Sequence, residues 1–138
     1  LAEFENITEK AIIDCSYIPG AVEFMNEISK KIPLYLLSAT PHSNLLNIIN
    51  KRNIENIFHG IYGAPINKEK IIKDLIMKNN TSVDEALYIG DAQEDLDIAK
   101  SLKINFILRK SDRMIKENNY PRFNDFNQIK DYYHKNFN

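Results

Sequence analysis

The sequence has 138 residues and a net charge of -1, with 43% hydrophobic and 27% charged residues, which fits one globular domain. The balanced charge gives no electrostatic basis for binding nucleic acid or an anionic membrane, and no apolar run is long enough to span a membrane. The only cysteine, Cys15, excludes an internal disulfide and predicts a reducing, cytoplasmic location.

The first 18 residues have the least regular pattern. Apolar residues three or four apart predict one face of a helix: Leu1, Phe4, Ile7 and Ala11. Residues 12–18 fit a short strand or an extended hinge, which the Pro19-Gly20 pair ends.

After Pro19-Gly20, apolar runs without polar alternation are separated by amphipathic segments, which predicts strands alternating with helices. The predicted elements are helix 21–31, strand 33–37, a helix from Pro41 to about residue 53, strand 57–63, helix 67–79, strand 86–89, helix 94–102, strand 104–108 and helix 125–135. Thr40 and Asn67 are expected to cap helices, Ser82 and Glu85 have capping-box spacing, and residues 109–122 are expected to be irregular. This order predicts a Rossmann-like α/β core with three layers, in which helices cover both faces of a parallel sheet.

Polar side chains follow several of these strands. Ser38 comes after strand 33–37, Lys68 opens the helix after strand 57–63, and Asp91 and Asp95 come after strand 86–89. In a parallel sheet these positions face the same edge. Each also has a purely structural interpretation, as a strand exit, a solvated lysine or a helix cap. A lysine in a first helical turn opposes the helix dipole, which favours another role, but Lys70 shares this feature.

Together these residue types indicate phosphoryl-transfer chemistry. Two carboxylates four residues apart converge on one side of a first helical turn, and carboxylate oxygens with retained waters suit Mg²⁺. Gly90 lets a ligand approach the backbone closely. A lysine, a hydroxyl and nearby backbone N–H groups bind phosphate oxygens. The sequence contains no P-loop and no G-x-G-x-x-G motif, so nucleotide binding of those kinds has no support.

At these motifs the chain resembles the haloacid dehalogenase (HAD) superfamily of phosphohydrolases. Leu34-Tyr35-Leu36-Leu37-Ser38 is similar to the family's second motif, and Lys68 at the start of a helix is similar to its third. Ile89-Gly90-Asp91 with Asp95 is similar to its fourth, and Pro19-Gly20-Ala21 resembles the return from a cap domain into the core. The resemblance covers about residues 17–110.

The resemblance implies roles for these residues. Ser38, with the backbone of Ala39, would bind the transferring phosphoryl group, and Lys68 would neutralise it. Asp91 would ligate Mg²⁺ directly, and Asp95 would act either as a second metal ligand or as the support of the lysine. The substrate would be a small phosphorylated metabolite. His42 and Arg109 are near the site in this scheme but are expected to have surface roles.

The family's first motif, an apolar strand ending in Asp-x-Asp, has no match near the N-terminus. Its first aspartate is the nucleophile that forms an aspartyl-phosphate. Asp14 is the nearest candidate, without the second acid. The sequence also starts with Leu1 rather than Met. We therefore expect residues 1–18 to be the tail of a cap domain or a hinge, and 19–138 to be a HAD-like core without its N-terminal central strand. Such a truncated core would be inactive and open to homo-oligomer formation through the gap.

Two other functions remain open from the sequence. One is a non-catalytic phosphate- or protein-binding module derived from the HAD fold. The other is a phospho-receiver domain, which also uses aspartate, hydroxyl and lysine side chains on a parallel sheet. A receiver has an acidic pair near its N-terminus and an acceptor aspartate on a middle strand. Here Gly90-Asp91 follows Lys68 in the chain, which favours the HAD-like order.

Overall fold

The computed structural model describes residues 2–5, 21–109 and 120–137, which contain a six-stranded sheet. In chain order the elements are β1 Ala2–Glu5, α1 Ala21–Ser29, β2 Leu34–Pro41, α2 His42–Lys51, β3 Gly60–Ala64, α3 Lys68–Lys78, β4 Leu87–Gly90, α4 Gln93–Leu102, β5 Asn105–Arg109, β6 Arg122–Phe123 and α5 Phe126–Asn136. Single turns of 3₁₀ helix precede β3 and β4, at Glu55–Ile57 and Val83–Glu85. Every strand and helix predicted after Pro19-Gly20 is present, with its ends shifted by a few residues.

The central position of the sheet is filled by β1. The strand order is β3-β2-β1-β4-β5-β6, and every neighbouring pair is parallel. Phe4 is in register with Leu36 of β2 and Ile89 of β4. The structure therefore corrects two expectations for this segment, a helix and a sheet without its central strand. Backbone hydrogen bonds to a strand on each side outweigh the helical spacing of the apolar residues.

Closing this gap also bears on self-association. The predicted homo-oligomer was expected to form through an open position at the centre of the sheet. That position is filled by β1, so the prediction loses its structural basis and stays untested. The proposed domain boundary after residue 18 lies outside the described residues, as does Asp14. Among the described residues, the structure has no helix with the length and apolar character to cross a membrane.

The sheet separates two hydrophobic layers, as the three-layer prediction requires. Alternate residues of β2 point to opposite faces, as expected for a strand: Leu34 and Leu36 join one cluster, and Tyr35 and Leu37 join the other. The first cluster contains side chains of α1, α2 and α5, and the second contains side chains of α3 and α4. The α/β class with a covered parallel sheet is thus confirmed.

Several local predictions are confirmed and others are corrected. Asn67 caps α3 by accepting a hydrogen bond from the backbone N–H of Lys70 at 3.1 Å, and the Ser82 N–H donates to the Glu85 carboxylate at 3.0 Å. Thr40 does not begin the second helix. β2 continues through Pro41, and α2 begins at His42 without a side-chain cap. The structure also adds β6, which was not predicted because it contains only two residues.

Candidate functional site

The carboxyl edge of the sheet brings the predicted polar residues together. The exposed fractions are 1% for Ser38, 8% for Lys68, 4% for Asp91 and 0% for Asp95. Within residues 21–109 and 120–137, apart from tyrosines, these four are the buried polar or charged residues. Burying charged groups is costly unless they are paired or have a ligand. Their concentration at one edge makes this edge the candidate functional site.

Asp95 is held by donors on both carboxylate oxygens. Its Oδ1 accepts a hydrogen bond from the Tyr88 hydroxyl at 2.9 Å and lies 3.5 Å from Lys68 Nζ. Its Oδ2 accepts from the backbone N–H groups of Asp91 and Ala92, at 3.3 and 3.1 Å. Asp95 thus holds the lysine and the start of α4. These contacts favour the supporting role over direct metal ligation, which remains a prediction.

The surroundings of Asp95 have opposing electrostatic effects. Burial raises the pKa of Asp95 above its usual value, whereas Lys68, the Tyr88 hydroxyl and the backbone N–H groups of Ala92 and Asp91 lower it. A carboxylate in this position therefore depends on its donors to stay ionised. The sequence did not identify Tyr88, because a tyrosine inside an apolar strand is usually only a core residue.

Gly90 is required by the position of Asp95. A Cβ atom on Gly90 would lie 2.6 Å from Asp95 Oδ2 and 2.7 Å from Asp95 Cβ. The glycine therefore lets the helix that carries Asp95 return closely against the end of β4. This close contact explains why a glycine, and no larger residue, precedes Asp91 in the sequence.

We expect Gly90→Ala to lower the free energy of unfolding by about 1–3 kcal/mol, the usual range for overpacking. The added methyl group would displace a carboxylate that several donors hold in place. Chemical denaturation followed by circular dichroism measures the change. Ala92→Gly is the control, because it removes a methyl group two residues away instead of adding one. A stability of Gly90→Ala equal to that of the unchanged protein would show that Asp95 can move aside without cost.

Lys68 and Lys70 were indistinguishable in the sequence, but the structure separates them. Lys68 is the first residue of α3 and is buried, with its ammonium group beside Asp95. Lys70 is exposed, and its backbone N–H donates to the Asn67 cap. The lysine at the carboxyl edge is therefore Lys68, and its cost in the first helical turn is offset by the pair with Asp95.

Ser38 lies where β2 leaves its neighbour. The pairing with β3 runs in register as far as Leu37 and shifts before Pro41. Within this interval the Ser38 Oγ accepts a hydrogen bond from the backbone N–H of Thr40 at 3.1 Å. Ala39 is exposed. Ser38 therefore lies in an irregular part of β2, near its carboxyl end, where the regular pairing with β3 is interrupted.

Arg109 is a part of the site that the sequence assigned to the surface. Its Nη2 lies 3.2 Å from Asp91 Oδ2, and 20% of its side chain is exposed. Leu108 of β5 is in register with Gly90 of β4, so Arg109 and Asp91 follow at adjacent strand ends. The sequence did not reveal this pair, because finding it requires the register between β4 and β5, which the structure supplies. His42 is exposed, and its Nδ1 accepts a hydrogen bond from the Gly63 N–H at 3.0 Å.

The residues present are compatible with a magnesium ion. No group of three or more histidine, cysteine, aspartate or glutamate side chains occurs in the described part of the chain. Mg²⁺ does not need such a group, since it keeps several waters and binds through one or two carboxylates plus phosphate oxygens. Asp91 supplies one buried carboxylate at the carboxyl edge. A buried carboxylate of this kind fits the ligand preference of Mg²⁺.

Comparison with known proteins bears on the family and the fold of this chain. A family model described as haloacid dehalogenase-like hydrolase matches residues 1–109. No curated protein matches the sequence significantly. The core domain of a putative phosphoglycolate phosphatase from Streptococcus pneumoniae TIGR4, solved by NMR, superimposes with a TM-score of 0.71 at 18% identity, over 96% of this chain and 93% of that one.

Two longer proteins of known structure are also similar. A predicted phosphoglycolate phosphatase from Haemophilus somnus 129PT has a TM-score of 0.71 at 18% identity, over 81% of this chain and 55% of that one. A HAD-superfamily hydrolase from Ehrlichia chaffeensis has a TM-score of 0.71 at 19% identity, over 88% of this chain and 59% of that one. The chain thus matches less than two thirds of each longer protein, and at these identities the likeness shows the fold.

Proposed function

The chain belongs to the haloacid dehalogenase-like hydrolases, and from that premise we propose that its site is the phosphate- and metal-binding part of a Mg²⁺-dependent phosphohydrolase. The proposed substrate is a small phosphorylated metabolite. The observation that carries the proposal is the convergence of Ser38, Lys68, Asp91 and Asp95, all buried, at the carboxyl edge of one parallel sheet.

Each residue has a chemical role in this proposal. The Lys68 ammonium group attracts phosphoryl oxygens, and the Ser38 hydroxyl with the backbone N–H of Ala39 binds others. Asp91 would hold Mg²⁺, which when bound supplies charge stabilisation for the transferring phosphoryl group. Asp95 positions Lys68 through the 3.5 Å ion pair. These roles are binding and positioning, and they do not include a covalent step.

The nucleophile is the point that separates two candidate functions. The family resemblance implies an Asp-x-Asp motif at the end of the central strand, whereas the strand in that position here, β1, ends at Glu5. This observation favours the second candidate, a module that binds phosphate without catalysing transfer. Asp14, the other acid considered as a nucleophile, lies outside the described residues.

Phosphate binding and turnover by the purified 138-residue chain distinguish these candidates. We expect calorimetry to detect orthophosphate binding that becomes tighter when Mg²⁺ is added, because both candidates keep the phosphate-binding residues. We expect no hydrolysis of p-nitrophenyl phosphate. Hydrolysis that disappears in Asp14→Ala would instead assign the nucleophile and establish the enzyme. Absence of orthophosphate binding, with and without Mg²⁺, would contradict both candidates.

A further inference from the structure

Two ion pairs lie among the described residues of the site, one at each carboxylate. Lys68 pairs with Asp95 at 3.5 Å, and Arg109 pairs with Asp91 at 3.2 Å. The first pair is buried on both sides, with 8% and 0% of the side chains exposed, whereas 20% of Arg109 is exposed. The two pairs therefore differ in how easily their cation can leave. Arg109 is the last residue of β5, and its long side chain is partly exposed to solvent.

Asp91 is the carboxylate that both Arg109 and a metal ion could contact. Both oxygens of Asp95 accept hydrogen bonds within the protein, so Asp91 is the better metal ligand of the two. The guanidinium of Arg109 already contacts Asp91 Oδ2. A divalent cation and a guanidinium on the same carboxylate repel each other, and burial strengthens this repulsion because there is little water to screen it.

We propose that Arg109 competes with Mg²⁺ for Asp91, so that the guanidinium leaves the carboxylate when the cation binds. Arg109 thereby sets the metal affinity of the site. This inference rests on the proposed function, since it takes Asp91 as the metal ligand. A different role for Arg109, orienting Asp91 for the metal, predicts the opposite effect. Removal of an orienting partner weakens metal binding, commonly 10–100-fold, whereas removal of a competitor strengthens it.

The test is Mg²⁺ binding to the purified chain, measured by calorimetry at constant ionic strength. We expect Arg109→Gln to bind Mg²⁺ about tenfold more tightly than the unchanged protein, a coupling of typical size between two competing contacts. Arg52→Gln is the matched control, because it removes the same charge from an exposed position at the end of α2, and its affinity should be unchanged. Arg109→Lys keeps the charge but loses the guanidinium fork, and we expect an intermediate affinity.

Thermal unfolding gives a second readout that does not depend on activity. A ligand that binds the folded state raises the melting temperature according to its affinity. At the same Mg²⁺ concentration, the rise should be larger for Arg109→Gln than for Arg52→Gln or the unchanged protein. Equal or weaker Mg²⁺ binding by Arg109→Gln would overturn the inference, and so would an equal gain in Arg52→Gln, because that gain would reflect net charge alone.

Asp91→Asn separates failure of this inference from failure of the proposed function. If Asp91→Asn loses Mg²⁺ binding and Arg109→Gln shows no gain, the proposed metal role stands and the competition is wrong. If Asp91→Asn binds Mg²⁺ as the unchanged protein does, or if neither the unchanged protein nor Arg109→Gln binds it, the metal role of Asp91 is wrong and the inference falls with it. Binding by Arg109→Gln alone would support the competition strongly.

Discussion

Asp95→Ala is expected to lower the free energy of unfolding by about 3–5 kcal/mol, the usual cost of removing one partner of a buried ion pair. The variant leaves the Lys68 ammonium group buried, with 8% of the residue exposed, and without its carboxylate. It also removes the acceptor of the Tyr88 hydroxyl and of the backbone N–H groups of Asp91 and Ala92. Unsatisfied buried donors add to the cost.

Denaturation by urea, followed by circular dichroism, measures this change, since the sequence has no tryptophan for fluorescence. Asp97→Ala is the matched control on the same helix, because Asp97 is exposed and surface substitutions usually change stability by about 0.5 kcal/mol or less. Asp95→Asn keeps the shape of the side chain and should lie between the two. A loss below about 1 kcal/mol in Asp95→Ala, under the range for a broken buried pair, would show that Lys68 finds another partner.

The parts of the site that sequence could predict are those that depend on local spacing. Asp91 and Asp95 are four residues apart at the start of a helix, and Gly90 precedes them, so their proximity follows from helix geometry. Ser38 and Lys68 follow from the rule that parallel strands present their carboxyl ends at one edge. The sequence could not distinguish Lys68 from Lys70, because the distinction depends on which lysine faces the buried carboxylate of Asp95.

The parts that sequence did not predict depend on which strands are neighbours. The apolar residues at the start of the chain have helical spacing, and β1 contains only four residues, too few for alternation to show. Its strand conformation depends on β2 and β4, which come much later in the chain. The role of Arg109 was missed for the same reason, because its contact with Asp91 follows from the register between β4 and β5. Strands covered on both faces are continuous apolar runs without alternation, so their sequences do not specify that register.

The two ion pairs also determine the net charge of the site. Lys68 and Arg109 balance Asp95 and Asp91, so this group of four is close to neutral before a ligand binds. A dianionic phosphate adds negative charge, and a divalent cation offsets it. From this balance we expect phosphate binding and Mg²⁺ binding to strengthen each other. It also makes the buried cation, Lys68, the residue on which phosphate binding should depend most strongly.

Lys68→Met is expected to weaken orthophosphate binding by about 100-fold, because truncating one member of a buried charged pair commonly costs 2–5 kcal/mol in affinity. The ammonium group is largely shielded from water, so its attraction for a phosphate oxygen is little screened. Methionine has a similar length and no charge, which removes the attraction while keeping much of the packing.

The matched control is Lys73→Met on the same helix, since 58% of Lys73 is exposed and its pair with Glu69 is a surface pair. Its phosphate affinity should change little. The double variant Lys68→Met with Asp95→Asn removes both charges of the buried pair, so it separates lost phosphate attraction from the strain of an unpaired carboxylate. Calorimetry with orthophosphate measures all of these variants, after circular dichroism has established that each is folded. Unchanged phosphate affinity in a folded Lys68→Met would show that Lys68 serves only to neutralise Asp95, and the proposed phosphate site would then lack its main cation.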